Sequence, residues 1–286
     1  MKYLKKFVLS PLEAIPIICI YMMLKALPVA VSSALMGKLA RWVGPFLPVT
    51  RLGLKNLHAA FPDKTPAECK KIIKDVWENL GRTVGELPHS HTLAKNPKYI
   101  EVVHGERIEE LKNDGKGGIF FSAHLANWEL PHLVVNQHQL PIWLIWRAPN
   151  NWISTWFLKK VRESSLTTLV SKGSKGSKQM IKVLLENGHV GLLLDQRLSE
   201  GEKIPFFNRP ALTVTGPAKL ANKMGIPLVP VQVERLKGCH FRITFHPPLK
   251  LGKTPLETTE KITKTLEGWI TKNPGQWLWL HNRWRG

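Results

Sequence analysis

Short apolar runs alternate with amphipathic stretches after residue 118, and this alternation predicts how the chain folds. The apolar runs have the length of strands, and the stretches between them have the spacing of helices. This order predicts an α/β fold with a mixed, mostly parallel sheet flanked by helices. The predicted strands are Ile119–Ala123, Ile142–Trp146, Val190–Leu194, Leu228–Val233 and Phe241–Phe245. The predicted helices cover roughly 126–139, 150–164, 177–187 and 214–224.

Residues 7–36 are almost entirely apolar and form the membrane-like part of the chain. The cleanest apolar run, Ala14–Leu24, is about half of the ~20 residues that a perpendicular helix needs to cross the hydrocarbon core. We expect a retained, membrane-associated helical segment that lies in the interface or spans it obliquely. A cleaved secretory signal and a buried N-terminal helix of a soluble protein are the alternatives. The lysines that favour a cytoplasmic N-terminus are Lys2, Lys5 and Lys6.

The segment between the apolar N-terminus and the predicted sheet has a helical pattern, from Arg51 to about Lys98. A helix start is indicated at Thr65, because Pro66 follows at the first helical position and Glu68 comes soon after it. The chain is therefore divided into an anchoring segment (1–50), a helical lead-in (51–117) and a catalytic core (118–286).

Charge and cysteine content narrow the class of protein. Forty-one Lys and Arg against 21 Asp and Glu give a formal net charge of +20, which indicates an anionic partner such as nucleic acid, anionic lipid or an acidic protein. Three scattered cysteines provide neither a disulfide framework nor the spacing of a zinc site. No nucleic-acid-binding signature is present, and such a protein would leave the apolar N-terminus unexplained.

One segment carries candidate chemistry, because it runs from an apolar strand through His124 to Glu129. Five residues along a regular helix rotate a side chain by about 140°, so the two side chains can meet only if His124 lies on a strand-to-helix turn. A carboxylate at one ring nitrogen would leave the other nitrogen free to take a proton from an alcohol. Helix capping and dipole matching are the alternative explanation of this spacing.

Several ordered motifs resemble those of the lipid A biosynthesis acyltransferases, over about residues 118–284. They are His124-Leu-Ala-Asn127-Trp-Glu129, Trp146-Arg147-Ala-Pro-Asn-Asn151, Leu194-Asp195-Gln196, Ile204-Pro-Phe-Phe207, Ala211-Leu-Thr213 and the closing Pro274-Gly-Gln-Trp277-Leu-Trp279-Leu-His281-Asn-Arg-Trp284. The chain departs from the family pattern at Asn208, Gly275 and Asn282, which bears on the acceptor and the acyl chain more than on the reaction.

The resemblance implies a glycerolipid-acyltransferase-like fold and an enzyme of the bacterial inner membrane, with its catalytic domain on the cytoplasmic side. The donor would be an acyl carrier protein or coenzyme A thioester, the acceptor a hydroxyl of a lipid A precursor, and no cofactor or metal would be needed. His124 would be the base and Glu129 its orienter. The implied substrate-binding residues are Asn127, Arg147, Asp195 and Gln196.

Alternatives remain for two of these residues and for the acceptor. Arg147 is suited to a phosphate contact, or else it is a surface arginine stacked on Trp146. Asp195 is suited to scaffolding the active site, or else it caps a helix at a strand end. A phospholipid precursor or another glycolipid could replace the lipid A acceptor. The Ser/Gly/Lys tract at 171–178 lacks the spacing of a phosphate-binding loop and is predicted to be a flexible linker, with a basic docking loop as the alternative.

Overall fold

The computed structural model describes residues 10–285, and helices make up the part before the sheet. They are α1 (Ser10–Ala26), α2 (Val29–Val43), α3 (Val49–Ala60), α4 (Pro66–Glu86) and α5 (Ser90–Lys95). Helices α3, α4 and α5 cover most of the stretch from Arg51 to about Lys98 for which the sequence predicts a helical pattern, and α4 begins with a capping box in which Thr65 and Glu68 exchange hydrogen bonds. The N-terminal lysines at 2, 5 and 6 lie outside the described residues.

Seven strands among the described residues form one sheet, in the order β1-β9-β8-β2-β5-β3-β4. All neighbours are parallel except β8 and β9, so the predicted mixed, mostly parallel sheet is confirmed. Two further strands, β6 and β7, pair as a separate antiparallel hairpin. The strands are β1 (Ile100–Val103), β2 (Gly118–Ser122), β3 (Ile142–Trp146), β4 (Thr167–Ser171), β5 (His189–Leu193), β6 (Glu202–Phe206), β7 (Arg209–Thr213), β8 (Leu228–Lys237) and β9 (His240–Phe245).

The sequence pattern misses the two edge strands and the hairpin. β1 and β4 lie at the edges and each contains two exposed positions, so they lack the continuous apolar run of a central strand. The hairpin carries Pro205 and Pro210, which argue against strands in a sequence. The sheet therefore begins at β1, before Gly118, where the pattern had placed its start.

The remaining helices flank the sheet at α6 (Glu106–Asn113), α7 (Pro131–Gln137), α8 (Trp152–Arg162), α9 (Ser174–Leu185), α10 (Gly216–Met224) and α11 (Pro255–Lys272). The linker prediction for 171–178 is wrong, because α9 begins at Ser174 within this tract. Gly176 is needed there for packing, since a Cβ at this position would lie 2.0 Å from the carbonyl oxygen of Ser171. Gly173 (φ 123°) occupies a backbone conformation that L side chains rarely adopt.

Helix α2 packs closely on α4 through small residues. A Cβ on Gly81 or Gly85 would lie only 2.3–2.4 Å from a backbone oxygen of α2, so the two backbones approach as near as glycine allows. Ser33 of α2 also donates a hydrogen bond to the buried carboxylate of Glu86, at 2.6 Å. One face of α2, in the second half of the apolar N-terminus, is therefore packed against the core. No helix among residues 10–285 has the length and apolarity to span a bilayer.

Candidate active site

His124 lies two residues after β2, at the edge of the sheet where the parallel strands end. Its Nδ1 atom is 2.8 Å from Oδ1 of Asp195, and its backbone N–H donates to Oδ2 of the same carboxylate at 2.9 Å. Asp195 follows β5, the parallel neighbour of β2, so the ends of two adjacent strands bring the pair together. The His124 side chain is 19% exposed, whereas Asp195 is buried.

Asp195 is a buried carboxylate with a full set of donors. Besides the two contacts from His124, the indole Nε1–H of Trp277 donates to Oδ2 at 2.8 Å. Burial by itself would raise the pKa of Asp195, but the His124 charge and these hydrogen bonds outweigh it and lower the pKa to about 2. Asp195 is therefore an anion at neutral pH, suited to holding Nδ1–H of the imidazole.

The other ring nitrogen of His124, Nε2, faces the Gln196 side chain, which another hydrogen-bonding group could displace. Nε2 lies 3.3 Å from the side-chain amide nitrogen of Gln196, the residue after Asp195. With the proton on Nδ1, Nε2 carries the lone pair and accepts this weak hydrogen bond. The imidazole is thus oriented by a carboxylate on one side and open to a proton on the other, which is the arrangement of a general base.

Glu129 does not accept a hydrogen bond from the His124 ring, so the prediction that it orients the imidazole is wrong. Its carboxylate instead forms a bidentate ion pair with Arg162 at the end of α8, with Nε of Arg162 2.8 Å from Oε2. Burial opposes ionisation, but the Arg162 charge and hydrogen bond lower the pKa of Glu129, and the His124 charge contributes. Glu129 is therefore a buried anion near His124, in the turn before α7.

The loop that carries these groups contains a strained residue. Ala126 has φ 51°, in the left-handed region that non-glycine residues rarely adopt. Its carbonyl accepts hydrogen bonds from Asn79 (3.1 Å) and Thr83 (3.0 Å), and its N–H donates to the carbonyl of Gln276 at 2.9 Å. Residues of α4 and of the C-terminal segment therefore hold this backbone conformation in place.

Asn127 connects the same loop to a buried ion pair. Its fully buried side chain donates to Oε2 of Glu86 at 2.9 Å and accepts from the backbone N–H of Glu129 at 3.2 Å. Glu86 is itself fully buried and paired with Arg235 of β8. Asn127 thus supports the loop, and its contact with a substrate stays a prediction.

Arg147 lies at the end of β3 with its side chain exposed. The guanidinium above the Trp146 ring belongs to Arg162, at 5.7 Å from the ring centroid, rather than to Arg147. The alternative in which Arg147 stacks on Trp146 is therefore wrong, and its contact with phosphate stays a prediction. Asp195 accepts hydrogen bonds from His124 and Trp277 rather than capping a helix.

The sequence pattern misses several residues that build the site: Arg162, Trp277, Glu86 and Arg235. Trp277 belongs to the closing Trp-rich motif, so the sequence did single out this segment. In the structure the motif supports the His124 loop. Trp277 bridges to Leu125, and the N–H of Leu278 donates to the carbonyl of His124 at 3.2 Å. The motif therefore holds the loop that contains His124 in place. Among residues 10–285, no cluster of His, Cys, Asp or Glu could hold a metal ion.

Comparisons with known proteins agree on one family. The model of the bacterial lipid A biosynthesis acyltransferases matches residues 5–286. The lipid A biosynthesis lauroyltransferase of Escherichia coli is 25% identical over 245 residues, which cover 81% of this chain and 77% of that protein. The palmitoleoyltransferase of the same organism and an acyltransferase of Shigella flexneri, both of lipid A biosynthesis, are each 23% identical over 261 residues, covering 87% of this chain and 82% of theirs.

Proposed function

Because the chain belongs to the bacterial lipid A biosynthesis acyltransferase family and is an acyltransferase, we propose that it transfers a fatty acyl group from a thioester to a hydroxyl of a lipid A precursor. His124 is the general base of this transfer. The observation that carries the proposal is the contact between Nδ1 of His124 and the buried carboxylate of Asp195, since it leaves Nε2 available to the acceptor hydroxyl.

In the first half of the reaction, the acceptor hydroxyl takes the place of the Gln196 amide at Nε2. Its oxygen attacks the thioester carbonyl carbon while its proton passes to Nε2. The imidazolium that forms lies against the Asp195 carboxylate, whose charge stabilises it. Arg162 keeps Glu129 ionised nearby, and this second anion adds to the stabilisation of the imidazolium.

In the second half, the tetrahedral intermediate collapses and the bond between carbon and sulfur breaks. The leaving thiolate takes the proton from Nε2 of His124, which restores the neutral base. The substrate alcohol is the nucleophile throughout, so the acyl chain passes directly from donor to acceptor without an acyl-enzyme.

The acceptor is a lipid, and the N-terminal helices provide a surface for a membrane. Most of the exposed large apolar side chains among residues 10–285 lie between residues 12 and 49, on α1, α2 and the turn into α3. Exposed basic residues, including Lys38 and Arg51, lie among them and suit anionic headgroups. The enzyme thus works at the cytoplasmic face of the bacterial inner membrane, with α1 and the outer face of α2 in the interface.

A second basic surface, at the start of α9, favours an acidic carrier protein over coenzyme A as the donor. Lys172, Lys175 and Lys178 are exposed at and before the first turn of α9. Burial lowers the pKa of His281, the Asp195 charge opposes this, and the Lys172 charge adds a small further lowering, so Lys172 is near His281. Such a surface raises the rate at which an acidic partner is encountered.

The experiment is an acyl-transfer assay with purified protein, a carrier-protein or coenzyme A thioester, and a lipid A precursor, read by mass spectrometry. Wild-type protein should add one acyl chain to the precursor, and His124→Ala should not. A glycerophospholipid acceptor is included in parallel. Transfer to that lipid alone, or transfer by His124→Ala at the wild-type rate, contradicts the proposal.

A further inference from the structure

A cavity of about 380 Å³ lies between α3, the hairpin β6–β7 and the C-terminal segment, and the catalytic contacts described above do not use it. Its lining contains three cationic side chains, two amides and no carboxylate. The residues are Leu52, Lys55, Asn56, Arg209, Asn282, Trp284 and Arg285. Three like charges around one cavity repel one another, so a bound anion would relieve an unfavourable arrangement.

The cations of this cavity are not neutralised from within the described chain. Among the ion pairs of residues 10–285, none involves Lys55, Arg209 or Arg285. The Nη1 atom of Arg209 is moreover buried and has no hydrogen-bond partner in the structure. A buried guanidinium nitrogen without an acceptor is costly, which indicates that a ligand oxygen completes the site.

The walls of the cavity are held in place. The Arg209 guanidinium lies 4.7 Å from the Trp284 ring centroid, and the indole N–H of Trp284 donates to the carbonyl of Phe206 at 3.0 Å. Asn56 joins α3 to the C-terminal segment by donating to the carbonyls of Trp279 and His281. The cationic groups are thus arranged before a ligand arrives, which lowers the entropic cost of binding.

Two relationships connect the cavity with the acyl-transfer site and with the apolar surface. His281, beside the cavity residue Asn282, is near enough to the active site that the charges of Asp195 and His124 act on its pKa. On the other side, Leu52 and Lys55 lie on α3 within two turns of the exposed Val49. A group bound here is therefore placed between the membrane surface and the catalytic base.

We propose that this cavity is a subsite for a phosphate group of a substrate. Guanidinium and ammonium groups form short, charge-assisted hydrogen bonds with phosphate oxygens, and Arg209 and Arg285 can each offer a planar fork. The source of the phosphate rests on the proposed function, since both an anionic glycolipid acceptor and the phosphopantetheine arm of a carrier-protein thioester carry one. The shared chemistry is the phosphate, and the experiment separates its two sources.

Binding is tested first, without any turnover, through broadening of the ³¹P resonance of inorganic phosphate by the full-length protein at low ionic strength. The double variant Lys55→Ala/Arg285→Ala leaves Arg209 and its stacking untouched, so the fold should be preserved. Lys116→Ala is the matched control, because Lys116 lines a cavity of about 370 Å³ that also contains Glu110 and Asp114. Wild type and Lys116→Ala should broaden the signal, and the double variant should not. Equal broadening by all three, or none by wild type, overturns the subsite.

Kinetics then identify the source. Each lost phosphate contact should raise KM for the phosphate-bearing substrate roughly tenfold, with kcat nearly unchanged. If the acceptor supplies the phosphate, wild type and double variant should have the same KM for a dephosphorylated acceptor. If the donor supplies it, they should have the same KM for an N-acetylcysteamine thioester, which lacks the phosphate of the carrier-protein arm. A difference that persists in both arms, or that Lys116→Ala shares, overturns the subsite. A wild-type protein that binds phosphate but acylates no lipid contradicts the proposed function instead.

Discussion

One carboxylate oxygen of Asp195 lies 2.8 Å from Nδ1 of His124, and the other accepts the backbone N–H of the same residue at 2.9 Å. The carboxylate therefore fixes both the imidazole and the loop that carries it. This double contact arises because Asp195 and His124 follow adjacent parallel strands and leave the sheet at the same edge. The orientation of the His124 ring therefore depends on the sheet as well as on the loop.

Replacement of Asp195 by Asn should lower kcat by roughly 10²–10⁴, with little change in KM. An amide at this position can donate to the imidazole and so favours the wrong tautomer, while its size is conserved. The same reduction in kcat is expected for His124→Ala, because both substitutions remove general-base catalysis. The measurement is steady-state acyl transfer from a thioester donor, with circular dichroism to verify the fold.

Trp277→Phe is the matched control for this prediction. It removes one donor to Asp195 but leaves both contacts with His124, so the reduction in kcat should be about tenfold at most. An Asp195→Asn enzyme that turns over at the rate of Trp277→Phe would show that the carboxylate does not orient the base.

Glu129 and Arg162 should behave as a coupled pair. Glu129→Gln leaves the Arg162 guanidinium partly buried without its counter-charge, so it should destabilise the fold by roughly 3 kcal/mol and also reduce turnover. The double variant Glu129→Gln/Arg162→Gln should regain most of the stability but not the turnover, because the anion near His124 is still missing. Denaturant unfolding and kcat are measured for wild type, Glu129→Gln, Arg162→Gln and the double variant. If the double variant recovers both stability and turnover, the Glu129 charge has no part in catalysis.

The sequence identifies His124 as a candidate but not its partner Asp195, because the partner depends on the topology of the sheet. β2 and β5 are buried on both faces, so each is a continuous apolar run that a sequence reveals. His124 at the end of β2 is therefore predictable as a turn residue. Its pairing with Asp195 depends on β5 lying beside β2, although β3 and β4 come between them in the chain. A local sequence pattern does not show which strands are neighbours in the sheet.

Glu129 was the nearer candidate for the partner because only five positions separate it from His124. The structure places it in a turn, since α7 begins at Pro131 rather than near residue 126. From there its carboxylate reaches Arg162 on α8, a contact that depends on how the sheet places α8 against this turn. Long-range contacts of this kind separate the part of the site that a sequence predicts from the part that it does not.

Asn127→Ala should lower kcat about tenfold or more while leaving KM for donor and acceptor nearly unchanged. The side chain links Glu86 to the backbone N–H of Glu129, so its loss loosens the loop that carries the base without removing a substrate contact. Asn222→Ala is the control and should keep kcat near the wild-type value, since it removes a half-buried amide that bonds to Gly252 and Thr258, outside the loop and the phosphate cavity. A selective rise in KM for Asn127→Ala would instead support the predicted substrate contact.

The stability of the protein should decrease as the pH falls from about 6.5 to 4, in part because of His132. Burial lowers the pKa of this side chain to about 4, whereas in the unfolded chain it titrates near 6.5. Between these values the unfolded state binds a proton that the folded state does not, so the free energy of unfolding decreases with falling pH. For His132 alone this amounts to about 2 kcal/mol between pH 7 and pH 5.

Denaturant unfolding of detergent-solubilised wild type and His132→Leu at pH 7 and pH 5 measures this contribution. The variant should lose about 2 kcal/mol less than wild type over this range, since leucine does not titrate. His240→Leu, at an exposed position at the start of β9, serves as the control and should keep the wild-type dependence. Identical pH dependence in wild type and His132→Leu would mean that His132 is accessible to protons in the folded state.

Membrane attachment should depend on the aromatic side chains at the turn from α2 to α3. Trp42 and Phe46 are 72% and 81% exposed, so their replacement by serine removes apolar surface without disturbing the core. Transfer of each ring to an interface contributes about 2 kcal/mol, and the double variant should therefore bind vesicles roughly 10²–10³ times more weakly. Its free energy of unfolding should stay within about 0.5 kcal/mol of wild type.

Substitution is a sharper test than deletion of residues 1–36, because Ser33 of α2 contacts Glu86 and a truncated chain would lose this support of the active-site loop. Sedimentation with neutral and with anionic vesicles, before and after a high-salt wash, separates apolar from electrostatic attachment. The matched control is Leu185→Ser/Leu236→Ser, which removes two exposed apolar side chains (67% and 50%) far from the N-terminal helices in sequence. If the control is released from vesicles as readily as Trp42→Ser/Phe46→Ser, or if the latter still sediments as wild type does after the wash, the attachment surface lies outside this turn.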